Sequence, residues 1–85
     1  MKIQYSDVAK KQFIKLDKSV QKRIKKYLEE VATLENPRSR GKGLVSNLSG
    51  FWRYRVGDYR LICQIKDDAL LIDVVFLGHR KEIYE

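Results

Sequence analysis

Hydrophobic residues recur every three or four positions through the first part of the chain, after one short alternating run. Ile3 and Tyr5 alternate with polar neighbours, which predicts a strand over 2–5, and Ser6-Asp7 then forms a typical helix N-cap pair. Two amphipathic helices follow, separated by a break at 17–19. Their predicted buried stripes are Val8, Ala9, Phe13 and Leu16 in the first and Val20, Ile24, Tyr27, Leu28, Val31 and Leu34 in the second.

The hydrophobic spacing falls to two from Phe51 onward, which is typical of strands. Three strands are predicted over 51–56, 58–66 and 69–77, joined by tight turns at Gly57-Asp58 and Asp67-Asp68. Asn36-Pro37 ends the second helix and leads into a basic, glycine-containing loop at 38–43. The order βααβββ predicts an α+β fold in which two N-terminal helices pack on one face of a mainly antiparallel four-stranded sheet.

A two-residue hairpin turn at Gly57-Asp58 sets the register of its two strands. The predicted inward set is Trp52, Tyr54, Val56, Tyr59, Leu61, Cys63 and Ile65, and the outward set is Arg53, Arg55, Arg60, Ile62 and Gln64. Arg55 then lies directly opposite Arg60, a like-charge pair that costs up to about 1 kcal/mol. Continuing the register across Asp67-Asp68 predicts that Asp73 lies beside Ile62, as the one carboxylate in the sheet available to these arginines. The outward arginines are either a solvated surface cluster or a binding site, and we favour the second interpretation.

Length and charge narrow the class of protein. Eighty-five residues with one cysteine predict a single domain over 1–85, with no internal disulfide and no disulfide-linked partner. A net charge of +7 favours a polyanionic partner: RNA, DNA, an acidic protein or an anionic membrane surface. No run approaches the roughly 18 to 20 apolar residues that span a bilayer, and no signal peptide is evident, so we expect a cytoplasmic protein. One histidine and one cysteine exclude a structural zinc site, and no metal or cofactor is expected.

Arginine suits phosphate, because its planar guanidinium donates two parallel hydrogen bonds and keeps its charge at any working pH. It cannot transfer protons for the same reason. His79, the one histidine, is a candidate for proton transfer, although a histidine at a strand end also commonly satisfies backbone groups. Cys63 falls in the inward set and is expected to pack as a small apolar side chain.

Two segments carry a family resemblance: Leu48-Ser49-Gly50-Phe51-Trp52-Arg53-Tyr54-Arg55-Val56-Gly57-Asp58-Tyr59-Arg60-Leu61 and Gly78-His79-Arg80-Lys81-Glu82-Ile83-Tyr84. They resemble the RelE/ParE superfamily of toxins from type II toxin-antitoxin systems, in its RelE-like branch. The resemblance implies a metal-independent endoribonuclease, an mRNA interferase that cleaves mRNA in the ribosomal A site through attack of a ribose 2′-OH on the adjacent phosphate.

The resemblance also implies roles for individual residues. Arg60 and Arg80 would stabilise the transition state, Arg53 and Arg55 would position the scissile phosphate, and either His79 or Tyr84 would transfer protons. Docking to 16S rRNA would fall to the basic side chains of the second helix and the following loop, namely Lys22, Arg23, Lys25, Lys26, Arg38, Arg40 and Lys42. The implied partners are mRNA, the ribosome and a RelB-like antitoxin. The alternative is a ParE-like non-enzymatic toxin that poisons DNA gyrase, and the arginine set favours the nuclease.

Overall fold

The helices and strands follow the predicted order, with one additional strand. The computed structural model describes residues 1–83, and its elements are β1 (Lys2–Tyr5), α1 (Asp7–Ile14), α2 (Lys18–Thr33), β2 (Lys42–Gly43), β3 (Trp52–Val56), β4 (Tyr59–Lys66) and β5 (Leu71–His79). The sheet order is β1-β5-β4-β3-β2, with β1 parallel to β5 and the remaining pairs antiparallel. The predicted fold class is confirmed. The sheet has five strands rather than four, because β2 is only two residues long and carries no alternating pattern.

Both helices pack their apolar stripes on one face of the sheet. The α1 helix begins where the Ser6 Oγ accepts a hydrogen bond from the Ala9 backbone N–H at 3.0 Å, as its N-cap sequence predicts. The fully buried core residues from the two helices and the sheet are Ala9, Ile24, Leu28, Val31, Tyr54, Leu61, Cys63, Ile72, Val74 and Leu77. Val8 was predicted to be buried but is 56% exposed, because its neighbour Ala9 takes the position that faces the core. No helix within residues 1–83 is long and apolar enough to cross a membrane.

The β3–β4 register is the predicted one, with Arg55 opposite Arg60 and Val56 opposite Tyr59. Gly57 takes a φ of 58°, the positive value that hairpin turns of the primed types require. The inward set is confirmed, since all its members belong to the helix-side core or pack against it.

The predicted β4–β5 register was wrong. Arg60 lies opposite Gly78 and Ile62 opposite Phe76, whereas Asp73 lies opposite Gln64. Two features shift the pairing: residues 67–70 form a 3-10 turn ending with Leu70 at φ 51°, and a bulge follows the Ile62 pair. Asp73 is therefore about 13 Å along the strand from the level of Arg60.

The second face of the sheet is covered in part by the segment 44–51. This segment closes on itself, because the Leu44 N–H donates to the Phe51 carbonyl at 3.0 Å. Ile62 is fully buried although it lies outside the helix-side core, so its cover comes from the second face. Leu48 and Phe76, the cross-strand partner of Ile62, line one groove there. The arginines that share this face therefore lie in a partly enclosed setting.

Candidate functional site

Three arginines share the sheet face opposite the helices, which we call the arginine face: Arg53, Arg55 and Arg60. Arg55 and Arg60 are direct cross-strand partners, so their Cβ atoms are about 5 Å apart, and Arg53 lies two residues from Arg55 on the same side of β3. Arg53 and Arg60 are only 9% and 7% exposed, whereas Arg55 is exposed. Arginine is rarely buried to this degree unless its guanidinium is engaged, and all three take part in contacts within the molecule. The sequence thus brings together on one rigid sheet the residues predicted to bind phosphate.

The hairpin holds the Arg60 guanidinium in place. Its Nη1 donates to the carbonyl oxygens of Gly57 at 3.1 Å and Tyr59 at 3.2 Å. Both acceptors belong to the tight turn or its flank, so the turn that sets the strand register also orients this side chain. Such anchoring lowers the entropy that Arg60 loses on binding an anion.

The predicted carboxylate partner of these arginines lies elsewhere. Asp73 Oδ2 is 3.9 Å from the Lys66 Nζ, at the far end of β4. The shift in the β4–β5 register described above is the cause. Asp73 is therefore not the carboxylate partner of the arginine face.

The turn after β5 brings Arg80 to the hairpin. The Arg80 backbone N–H donates to the Asp58 carbonyl at 2.7 Å, and its Nε lies 3.8 Å from Asp58 Oδ1. The turn closes through bonds from the Glu82 and Ile83 N–H groups to the His79 carbonyl, at 2.8 and 3.1 Å. Ile83 then folds back over Gly78, where a Cβ atom would lie 3.2 Å from the Ile83 Cδ1. Arg80 thus joins the same end of the sheet as Arg55 and Arg60.

His79 lies on the other side of the sheet. Its backbone is paired with that of Tyr59, whose ring packs with the helix-side core, and the two rings meet edge to face at 5.5 Å. The Nδ1 atom accepts a hydrogen bond from the Lys81 N–H at 3.1 Å, so a neutral imidazole carries its proton on Nε2. This placement favours a role in capping the turn over contact with the arginine face. Tyr84, the other proton-transfer candidate, lies outside the described residues.

The basic side chains predicted to dock on rRNA divide into two groups. Arg38 donates two parallel hydrogen bonds of 2.9 Å to the Asp67 carboxylate and thereby keeps the pKa of that carboxyl below its usual range. The Arg40 Nη1 lies 3.3 Å from Glu30 Oε2, and its guanidinium carbon lies 5.6 Å from the centre of the Tyr27 ring. Their charges are already paired within the molecule. The others, Lys22, Arg23, Lys25, Lys26 and Lys42, are exposed, four of them on α2 and one on β2.

A groove at the hairpin joins this second group to the arginine face. Arg23 and Lys26 of α2 line it together with Arg55, around a volume of about 290 Å³. The Arg23 guanidinium lies so close to the turn that a methyl group at Gly57 would come within 2.7 Å of its Nη2. The sequence analysis did not predict that the basic residues of α2 and the arginine face meet, although the i, i+3 spacing of Arg23 and Lys26 indicates that these two lie on one helix face.

Two aromatic side chains fix the basic loop against the sheet. The Trp52 indole N–H donates to the Arg40 carbonyl at 2.8 Å, and the Tyr54 hydroxyl donates to the Pro37 carbonyl at 2.7 Å. Burial raises the pKa of the Tyr54 hydroxyl well above its usual range. Both rings were predicted to face inward, and this orientation is confirmed. The loop is thereby held beside Arg53, where β2 places Lys42 opposite it.

Comparison with known proteins identifies relatives of this architecture. A family model described as the ParE toxin of the type II toxin-antitoxin system, parDE, matches residues 3–84. The toxin-antitoxin complex RelBE2 from Mycobacterium tuberculosis contains a chain of similar fold, with a TM-score of 0.84, 23% identity, and coverage of 93% of this chain and 90% of that one. The isolated RelE toxin of E. coli matches with a TM-score of 0.74 and 21% identity over 92% and 82% of the two chains. The YoeB-YefM complex from Staphylococcus aureus gives 0.73 and 22% over 93% and 95%. No functionally curated protein matches in sequence.

Proposed function

Because the chain belongs to the ParE toxin family of type II toxin-antitoxin systems, we propose that it is an endoribonuclease that cleaves mRNA in the ribosomal A site and inhibits translation. The chain is a toxin of such a system, and the ribonuclease activity is the proposed step beyond that. The observation that supports it is the convergence of Arg53, Arg55 and Arg60 on one sheet face, with Arg80 at its hairpin end. Arg55 and Arg60 form a like-charge cross-strand pair beside the turn, an arrangement that costs stability and that a bound phosphate would offset.

The proposed reaction gives the four arginines two roles. A ribose 2′-oxygen attacks the adjacent phosphorus, the bond to the 5′-oxygen breaks, and the products carry a 2′,3′-cyclic phosphate and a 5′-hydroxyl. Negative charge grows on the phosphate oxygens in the transition state, where oriented donors contribute most. Arg60, held by two carbonyls, and Arg80 stabilise this charge, while Arg53 and Arg55 position the phosphate.

Proton transfer requires other side chains, because a guanidinium stays protonated at any working pH. The 2′-hydroxyl must lose a proton and the departing 5′-oxygen must gain one. We assign removal of the 2′-hydroxyl proton to the phenolate form of Tyr84, four residues beyond Arg80, on the basis of the family resemblance, and water supplies the proton to the departing 5′-oxygen. His79 faces the opposite side of the sheet with its Nδ1 occupied, which supports a structural role for it.

The exposed lysines and arginine of α2 and β2 would contact 16S rRNA, as phosphate contacts that position the toxin without reading sequence. Arg38 and Arg40 would contribute less, because Asp67 and Glu30 offset part of their charge. A RelB-like antitoxin is the proposed inhibitory partner. Several structures of similar fold are complexes of a toxin with RelB or YefM.

A second candidate function follows from the family description, which names the ParE toxin of parDE. In that case the protein would poison DNA gyrase without cleaving RNA. The grouping of Arg53, Arg55 and Arg60 on one sheet face, with Arg80 at its hairpin end, favours the nuclease, since this set supplies the donors that a phosphate transition state needs.

The two functions differ in what happens to mRNA after induction. Mapping 5′ ends of mRNA on ribosomes, with and without the toxin, is expected to show new cuts within codons in the A site. Intact mRNA together with gyrase-dependent DNA breaks would refute the nuclease.

Two variants connect the cuts to the arginine face. Arg60→Ala is expected to abolish cleavage while circular dichroism shows an unchanged fold. Lys11→Ala removes the same charge from the exposed side of α1 and is expected to cleave normally. Equal loss of cleavage in both variants would mean that net charge, rather than the arginine face, supports the activity.

A further inference from the structure

A pocket next to the arginine face has no role in the reaction described above. It has a volume of about 360 Å³, within the range of small-molecule sites, and lies between the segment 44–48 and the strand pair formed by β2 and β3. Arg53 and Lys42, which are cross-strand partners, line one side of it. Arg53 also belongs to the arginine face, so the pocket and the proposed position of the scissile phosphate share this side chain.

The opposite wall combines apolar and hydrogen-bonding groups. Leu44 and Leu48 supply apolar surface, and Ser46 and Asn47 supply a hydroxyl and an amide. Among residues 1–83, neither of these polar side chains forms a hydrogen bond within the molecule, so both can reach a ligand. An amide offers a donor and an acceptor side by side, which is the pattern that pairs with the edge of a nucleobase.

The wall is ordered by backbone hydrogen bonds of its own segment. The Leu48 N–H donates to the Val45 carbonyl at 3.3 Å, the Ser49 N–H to the Ser46 carbonyl at 3.0 Å, and the Phe51 N–H to the Leu48 carbonyl at 3.1 Å. Ser46 has a φ of 60°, a conformation that residues other than glycine adopt at a cost and that persists where the surrounding structure enforces it. A preformed pocket of this kind loses little entropy on binding.

On the basis of the proposed function, we infer that this pocket binds the nucleobase of the nucleotide adjacent to the scissile phosphate, and that Asn47 and Ser46 read its edge. Single-stranded RNA presents unstacked bases that proteins recognise by hydrogen bonds to their edges and by contact with their faces. Leu44 and Leu48 contact the face of the base, while Lys42 and Arg53 hold the flanking phosphate. Asn47 is thus a residue that determines which sequences are cut.

The test measures cleavage rates on ribosomes carrying mRNAs that differ only in one base of the A-site codon, with each of the four bases at each position. Wild-type protein is expected to prefer one base at one position, and Asn47→Ala is expected to reduce that preference by roughly tenfold, by slowing the preferred base alone. Ser49→Ala, in the same loop but outside the pocket, is expected to keep the wild-type preference. If Asn47→Ala keeps the base ratio, or slows all four bases equally, base reading by this pocket is refuted while the nuclease proposal stands.

A binding measurement separates the two proposals. Adenosine, guanosine, cytidine and uridine 3′-monophosphates are added in turn to the labelled protein, and the backbone amide signals of residues 44–48 are followed by NMR. Shifts with at least one nucleotide, lost in Asn47→Ala and kept in Ser49→Ala, are expected even if wild-type protein cuts no mRNA. No shift with any nucleotide would overturn the inference whatever the outcome of the cleavage assay.

Discussion

Replacing Gly41 with alanine tests the packing of the basic loop against the sheet. Gly41 has a φ of 84°, and a Cβ atom there would lie 2.4 Å from the Arg53 carbonyl oxygen and 2.6 Å from the Trp52 Nε1. The left-handed conformation costs alanine about 1 to 2 kcal/mol. The contact with Arg53 involves backbone and cannot be relieved by a rotamer change, so overpacking adds about 1 to 3 kcal/mol.

Gly50→Ala is the matched control. Gly50 also has a positive φ, 95°, but no atom lies within 4 Å of the position a Cβ would take. Only the conformational cost of about 1 to 2 kcal/mol applies to it. Gly41→Ala is therefore expected to lower the free energy of unfolding by about 2 to 5 kcal/mol, a large part of the roughly 4 to 13 kcal/mol expected for a chain of this length.

Urea denaturation followed by fluorescence measures the difference. Trp52 is the only tryptophan, and its indole bonds to the Arg40 carbonyl next to Gly41, so its emission reports both unfolding and local displacement. Equal destabilisation of the two variants, within about 0.5 kcal/mol, would contradict the close approach of the loop to Arg53.

Arg60→Lys keeps the positive charge but removes the planar guanidinium that the hairpin carbonyls hold. We therefore expect the rate of mRNA cleavage to fall by about 10²- to 10³-fold without loss of folding. Cleavage at nearly the wild-type rate would show that charge alone suffices. Tyr54→Phe leaves the Pro37 carbonyl unsatisfied in a buried position and should lower the free energy of unfolding by about 1 to 3 kcal/mol in urea titrations; an unchanged midpoint and slope would contradict the bond. Arg38 lowers the pKa of Asp67 from 3.8, so their pair stabilises the fold above about pH 4 and this contribution disappears as the pH falls through the lowered pKa. The stability difference between wild type and Arg38→Gln should accordingly be present at pH 6, shrink in high salt, and shrink further as the pH is lowered below 3.8, and a difference independent of pH would refute this linkage.

The sequence predicted the arginine face because one short turn determines it. Gly57-Asp58 is a two-residue hairpin, so the pairing of Arg55 with Arg60 follows from the turn alone. The two helices could also be predicted from the sequence, since the N-cap of α1 and the apolar spacing of both helices are local signals.

Features that depend on irregular backbone were not predictable in this way. The turn at 67–70 and the bulge after the Ile62 pair have no distinct sequence signal, so Asp73 was placed beside the wrong partners. The side of the sheet that His79 occupies depends on the same register. The position of segment 44–51 over the second face of the sheet was not predicted, because this segment is held by its own backbone hydrogen bonds and has no hydrophobic periodicity.

The parallel pairing of β1 with β5 has a consequence for the timing of folding. Lys2 pairs with Leu71 and Tyr5 with Val74, so β1, the first of the five strands to be synthesised, cannot pair in the sheet until β5, the last of the five, has been made. Contacts this distant in sequence form late and slow the folding of small domains. During synthesis, α1 emerges long before β5, the strand against which it packs. A protein proposed to act on ribosomes therefore cannot complete its sheet, or bring Arg80 to the hairpin, until β5 has left the ribosome that makes it.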